Sequence, residues 1–74
     1  MYEIRYGSPT RDKIVKTDDY EQANRIYDKA KRFAENHRLV WTVALWDILK
    51  RGKWLIKSET VNGTIVTSQE LTSR

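Results

Sequence analysis

One long apolar run, from Leu39 to Leu49, constrains the fold of this chain more than any other feature. It reads Leu-Val-Trp-Thr-Val-Ala-Leu-Trp-Asp-Ile-Leu, and both of its alternating sets of side chains are largely hydrophobic. A strand with one face in water alternates apolar and polar residues, so this run predicts a strand that is covered on both faces. A buried helix could carry such a run, but the frequent β-branched and aromatic residues favour a strand.

Length and composition limit what this strand can belong to. A chain of 74 residues is near the lower limit for folding on one hydrophobic core. Cysteine is absent and histidine occurs once, which excludes disulfide bonds and argues against a structural zinc site. We therefore expect a single domain over residues 1–68, a polar tail over residues 69–74, and no metal or cofactor.

The start of the chain and its hydropathy bear on localisation. The first residues lack the basic and apolar segments of a signal peptide. No apolar run approaches the roughly 20 residues that a bilayer span needs. We therefore expect a cytoplasmic protein without a membrane partner.

Two strands and a helix are predicted before the central run. Alternation over Tyr2–Tyr6 predicts a half-buried strand, and residues 7–10 form a loop because glycine and proline interrupt the pattern. Lys13–Thr17 predicts a second, edge strand. Asp18 as N-cap, with Glu21 three residues later, predicts a helix start. Apolar residues at helical spacing then extend the helix to Asn36-His37.

Two hairpins are predicted after the central strand. Lys50-Arg51-Gly52 suits a type I turn followed by a bulge at the glycine, which would set Ile48 opposite Trp54 and Trp46 opposite Ile56. A two-residue loop is the alternative and would shift this pairing by one residue.

The strongest turn signal lies near the end of the chain. Asn62-Gly63 follows a fourth strand over Trp54–Val61 and precedes a fifth over Thr64–Val66, which fades at Ser68. The predicted order is therefore β-β-α-β-β-β. It corresponds to an α+β fold with an antiparallel sheet and one helix packed on one face, although the pattern does not specify which face.

Candidate catalytic residues are scarce. His37 is the single imidazole, and a capping or solvent-exposed role is expected for it because no nucleophile or carboxylate pair lies nearby in sequence. Asp47 interrupts the apolar run, and we expect it to pair with Lys57 or Arg51. The glycines are isolated in separate turns, so no phosphate-binding loop is predicted. We expect no enzymatic activity.

A basic hairpin is one candidate binding site. The net charge is +4, and basic residues crowd the turn after the central strand. Basic groups interleaved with an aromatic ring can hold phosphates and stack bases, although a solvated turn with a core tryptophan has the same pattern. This alternative predicts a small nucleic-acid-binding protein that uses Lys50, Arg51, Lys53, Trp54 and Lys57.

An apolar sheet face is the other candidate. One helix can cover only one face of the sheet, and an uncovered aromatic and aliphatic face is typical of a protein interface or a homodimer seam. Tyr2, Tyr6 or the tail could instead fold over it. The predicted interface residues are Trp41, Val43, Leu45 and Leu55.

The architecture also suggests a resemblance. Its element boundaries are marked by Thr17-Asp18-Asp19-Tyr20-Glu21 and Asn62-Gly63, and the element order and size resemble small phage-encoded accessory proteins, including some anti-CRISPR inhibitors. The resemblance implies docking on a host protein or nucleoprotein complex without catalysis. The net basic chain differs from acidic inhibitors that mimic nucleic acid. We therefore expect a protein-binding module, with nucleic-acid binding as the alternative.

Overall fold

The computed structural model describes residues 1–63, which form a four-stranded antiparallel sheet and one helix. The spatial order of the strands is β2-β1-β3-β4. The predicted α+β class is confirmed, whereas the expected fifth strand and the polar tail lie outside the described residues. The elements are β1 (Tyr2–Ser8), β2 (Arg11–Thr17), α1 (Tyr20–Asn36), β3 (Trp41–Leu49) and β4 (Gly52–Val61). Among the described residues, no helix is long and apolar enough to cross a membrane.

The β1–β2 hairpin is longer than predicted, because β1 continues through Gly7 instead of ending there. Gly7 pairs with Asp12 of β2 and adopts a φ of +142°. A Cβ atom at this position would clash with the carbonyl oxygen of Arg11 and lie 2.6 Å from the Cα of Asp12. This glycine therefore permits a close approach of two strands. The sequence did not predict this role, because Gly7 precedes Ser-Pro, which is typical of a loop.

The N-cap of α1 is Asp19, one residue later than predicted. The Asp19 carboxylate accepts a 3.0 Å hydrogen bond from the backbone N–H of Glu21. The hydroxyl oxygen of Thr17 accepts the backbone N–H of Asp19 at 3.1 Å and fixes the chain entering the helix. Asp18 remains exposed, and its carboxylate lies 4.0 Å from the N-terminal amine.

The helix ends at Asn36, as predicted. Its last carbonyl groups accept hydrogen bonds from the chain that follows the helix and from the end of β4. The backbone N–H of Leu39 donates to the Ala34 carbonyl at 2.9 Å, while Arg38 adopts a φ of +55°. This is the 6→1 hydrogen bond of a Schellman motif. The Asn62 side chain donates to the carbonyl oxygens of Ala34 and Leu39 at 3.1 and 3.0 Å. Asn62 therefore ties the end of β4 to the end of the helix.

The helix covers the sheet face that carries the odd-numbered residues of β3. Val43 and Leu45 are fully buried there, together with Ile4 of β1. Small side chains on the helix let it lie close to this face, since three of its four buried residues are alanines. The core consists of Ile4, Ala23, Tyr27, Ala30, Ala34, Val43, Leu45 and Val61.

Tyr27 is the largest of the fully buried side chains. The Nζ atom of Lys57 lies 4.4 Å from its ring centroid. Its hydroxyl has no hydrogen-bond partner within residues 1–63. Burial, reinforced by the negative charges of Glu59 and Asp28, raises the pKa of this phenol to about 12. The side chain therefore stays neutral at physiological pH. Its ring belongs to the core and contacts the Lys57 ammonium group.

The β3–β4 pairing differs from the predicted register. Leu49 pairs with Gly52, so the loop contains two residues, and Asp47 faces Trp54. The irregularity lies further along, where Leu45 pairs with Lys57 but the next residue, Trp46, pairs with Leu55. Ile56 is thus the extra residue of a bulge and packs against the core.

Candidate functional site

The sheet face opposite α1 has no covering layer among residues 1–63. Two residues that lie directly opposite each other on paired strands point to the same face of the sheet. Trp46 is at the centre of this face, between Glu3 of β1 and Leu55 of β4. Leu55 is 44% exposed and Ile14 is 47% exposed. We define the open face by its apolar residues, which are Ile14, Ala44, Trp46, Ile48 and Leu55.

A half-buried ion pair lies at the centre of the open face. Glu3 is only 4% exposed, and its Oε2 atom lies 3.1 Å from the Nζ atom of Lys53. The same ammonium group lies 5.2 Å from the ring centroid of Trp46. Lys53 therefore reaches across the indole to a carboxylate that would be costly to leave unpaired. The lysine is thereby engaged by both the carboxylate and the ring.

The structure corrects the predicted interface residues. Val43 and Leu45 are buried in the core under α1, and Trp41 is half-buried on that same side of the sheet. Its ring lies 5.4 Å from Phe33 and 5.7 Å from Tyr6. The predicted uncovered face is therefore the one that the helix covers, and only Leu55 lies on the open face.

The two-residue loop, in which Leu49 pairs with Gly52, explains the separation of Leu55 from the other three. Both faces of β3 are apolar, so the sequence pattern gave no basis for choosing between them. With this loop, Leu55 shares the face of Trp46 and Trp54 shares the face of Asp47. Trp46 and Ile48 were therefore missed, although the even-numbered positions of the apolar run carried the signal, and Ile14 was missed because it lies on β2.

The residues predicted for nucleic-acid binding are not brought together on one surface. Lys53 is on the open face beside Glu3, while Lys57 is on the helix side, above the Tyr27 ring. Trp54 also lies on the helix side and is 68% exposed. Lys50 and Arg51 form the exposed loop itself. Two of the four predicted basic residues are thus already engaged within the chain.

The two residues considered as candidates for catalysis are His37 and Asp47. His37 is the C-cap of α1, with its Nδ1 atom 3.0 Å from the carbonyl oxygen of Phe33 and its ring stacked on that side chain, which confirms the expected capping role. The expected ion pair of Asp47 with Lys57 or Arg51 is not among the salt bridges within residues 1–63. Over the same residues, no group of three or more His, Cys, Asp or Glu side chains could hold a metal ion.

The geometry thus offers a preorganised apolar surface. Trp46 supplies a large ring that the Glu3-paired Lys53 contacts, and Ile48 and Leu55 extend the apolar area around it. Comparisons with protein-family models, with curated proteins and with solved structures find no match to this chain.

Proposed function

We propose that this chain is a non-enzymatic protein-binding module that docks on its partner through the open face. The observation that carries the proposal is the apolar patch on the helix-free side of the sheet, where Trp46 is flanked by Ile48 and Leu55. A sheet face that stays in water normally carries polar residues at these positions. Aromatic side chains at the centre of an apolar patch are typical anchors of protein interfaces.

Polar residues around this apolar centre also support the proposal. Thr42 faces Thr60, and Ser58 faces Ala44, so one side of the open face carries hydroxyl groups. Arg5 lies towards the other side, with its Nε atom 3.4 Å from a carboxylate oxygen of Asp12. An apolar centre with a polar rim is the usual composition of an interface between separately folded proteins.

The resemblance to small phage-encoded proteins also suggests what kind of partner this chain would bind. An inhibitor from a phage or mobile element would use such a surface to cover a site on a host protein or nucleoprotein complex. We propose the open face as the surface that would make this contact. The same surface would serve a homodimer, in which two open faces would bury each other.

Site-specific photo-crosslinking tests the proposal. Leu55 and Trp54 are neighbours on β4, but Leu55 points to the open face and Trp54 to the helix side. We expect p-benzoylphenylalanine at position 55, in a lysate of cells that produce the protein, to give a discrete protein adduct. The same probe at position 54 should give none of that adduct. An adduct containing a second copy of this chain would identify the partner as the chain itself.

The nucleic-acid alternative predicts the reverse result. It is favoured by the exposed ring of Trp54, which lies near the basic loop of Lys50 and Arg51, because such rings can stack on bases. Adducts that form from position 54 and contain nucleic acid would support this alternative. Together with the absence of an adduct from position 55, they would overturn docking through the open face.

A further inference from the structure

An open groove lies on the other side of the sheet, between α1 and the β1–β2 hairpin. The helix packs mainly on β3 and β1, so the helix-facing side of β2 is left largely uncovered among the described residues. The groove has a volume of about 770 Å³, which is within the range of ligand-binding clefts. Its apolar lining consists of Tyr6, Ile26, Ala30, Phe33 and Trp41.

Aromatic rings in this groove already contact one another. Trp41 lies between Phe33 and Tyr6 at centroid distances of 5.4 and 5.7 Å, and Phe33 stacks on His37 at 4.1 Å. Phe33 is nevertheless 46% exposed. Because Phe33 and Trp41 each have two ring neighbours, little ring face remains for stacking a base. The lining suits the insertion of an aliphatic or aromatic side chain better than it suits a row of bases.

Charge around the groove is predominantly positive. Arg11 and Lys13 line it from β2, and Lys29 lines it from α1. Within residues 1–63, Asp12 is the only acidic residue of the lining, and the guanidinium group of Arg5 lies 3.4 Å from its carboxylate. A basic rim around an apolar floor is complementary to an apolar group that carries negative charge on either side.

We infer that this groove is a second docking site and that it takes an acidic peptide segment with a large apolar side chain. The apolar side chain would enter between Ile26 and Trp41, and acidic residues on both sides of it would meet Arg11, Lys13 and Lys29. The site lies on the opposite side of the sheet from the open face. The inference therefore does not rest on the proposed function, and either could fail while the other stands.

Amide chemical-shift mapping with designed peptides tests the inference. The probe is a peptide with a central Leu-Phe pair between acidic residues, and two matched peptides replace either the pair with serines or the acidic residues with lysines. We expect saturable shifts of the Lys13, Lys29 and Phe33 amides in the ¹⁵N-labelled full chain with the first peptide, and much weaker shifts with the other two. Shifts confined to the open face, around Leu55, would overturn the inference. So would stronger groove shifts with an oligouridylate.

Matched charge reversals distinguish peptide binding at the groove from attraction of the peptide by the net positive charge of the protein. Lys13→Glu with Lys29→Glu alters the groove, whereas Lys50→Glu with Arg51→Glu makes the same change in net charge at the exposed β3–β4 loop. All four side chains are exposed, so both variants should fold, which circular dichroism checks. We expect the groove variant to weaken the acidic peptide about tenfold and the loop variant to weaken it at most about twofold. Equal losses in the two variants would show that net charge alone attracts the peptide.

Discussion

Replacing Leu45 with alanine is expected to lower the free energy of unfolding by about 3 kcal/mol, within the usual range for a buried leucine. Leu45 is fully buried beneath α1, where it pairs with Ile4 across the β1–β3 ladder. A domain of this size has a total stability of roughly 4–11 kcal/mol, so the loss would be a large share of the whole. Urea denaturation followed by tryptophan fluorescence measures the change.

The matched control is Leu55→Ala, which makes the same substitution on the other face of the sheet. Leu55 is 44% exposed, so the substitution removes less buried area and creates no enclosed cavity. We expect it to cost about 1 kcal/mol or less. Equal losses from the two substitutions would contradict the assignment of the covered and open faces.

Replacing Gly7 with alanine is expected to be at least as damaging, at about 3 kcal/mol or more. The φ of +142° is costly for any residue with a side chain, and the new Cβ would also collide with the backbone of Arg11 and Asp12. Neither neighbour can move without breaking the β1–β2 pairing, because both belong to the facing strand. Thermal and urea denaturation should both show the loss.

Gly52→Ala is the control that separates the cost of the backbone conformation from the cost of the steric clash. Gly52 has a φ of +123°, but no atom other than those of Gly52 and its two chain neighbours lies within 4 Å of a Cβ built there. Only the conformational term remains, and we expect a cost of about 1–2 kcal/mol. If both glycine substitutions cost the same, the close approach of β1 and β2 at Gly7 would be refuted.

Local chemistry made several elements predictable from the sequence. The spacing of apolar residues from Tyr20 to Ala34 predicted α1, and the helix terminus at Asn36 followed the end of that spacing. The N-cap was misplaced by one residue because Asp18 and Asp19 are both suitable caps. The Thr17 hydroxyl, which receives the backbone N–H of Asp19, decides between them.

Long-range pairing made the site harder to predict. Both faces of β3 are apolar, so which one meets the helix depends on the register with β1, where Ile4 faces Leu45. The ion pair on the open face joins Glu3 to Lys53, fifty residues apart in sequence. The two-residue loop, in which Leu49 pairs with Gly52, sends Leu55 and Trp54 to faces that the predicted register did not give them, and the bulge at Ile56 restores the predicted register only beyond them.

The affinity of the partner captured from position 55 tests docking through the open face most directly. Leu55→Glu and Trp54→Glu place the same charge on adjacent residues of β4 that lie on opposite faces. We expect Leu55→Glu to weaken binding about 30-fold or more, as a central interface residue does. Trp54→Glu should leave the affinity unchanged within about twofold, since rim and distant residues contribute little. Wild-type affinity in Leu55→Glu, or an equal loss in Trp54→Glu, would contradict docking through the open face.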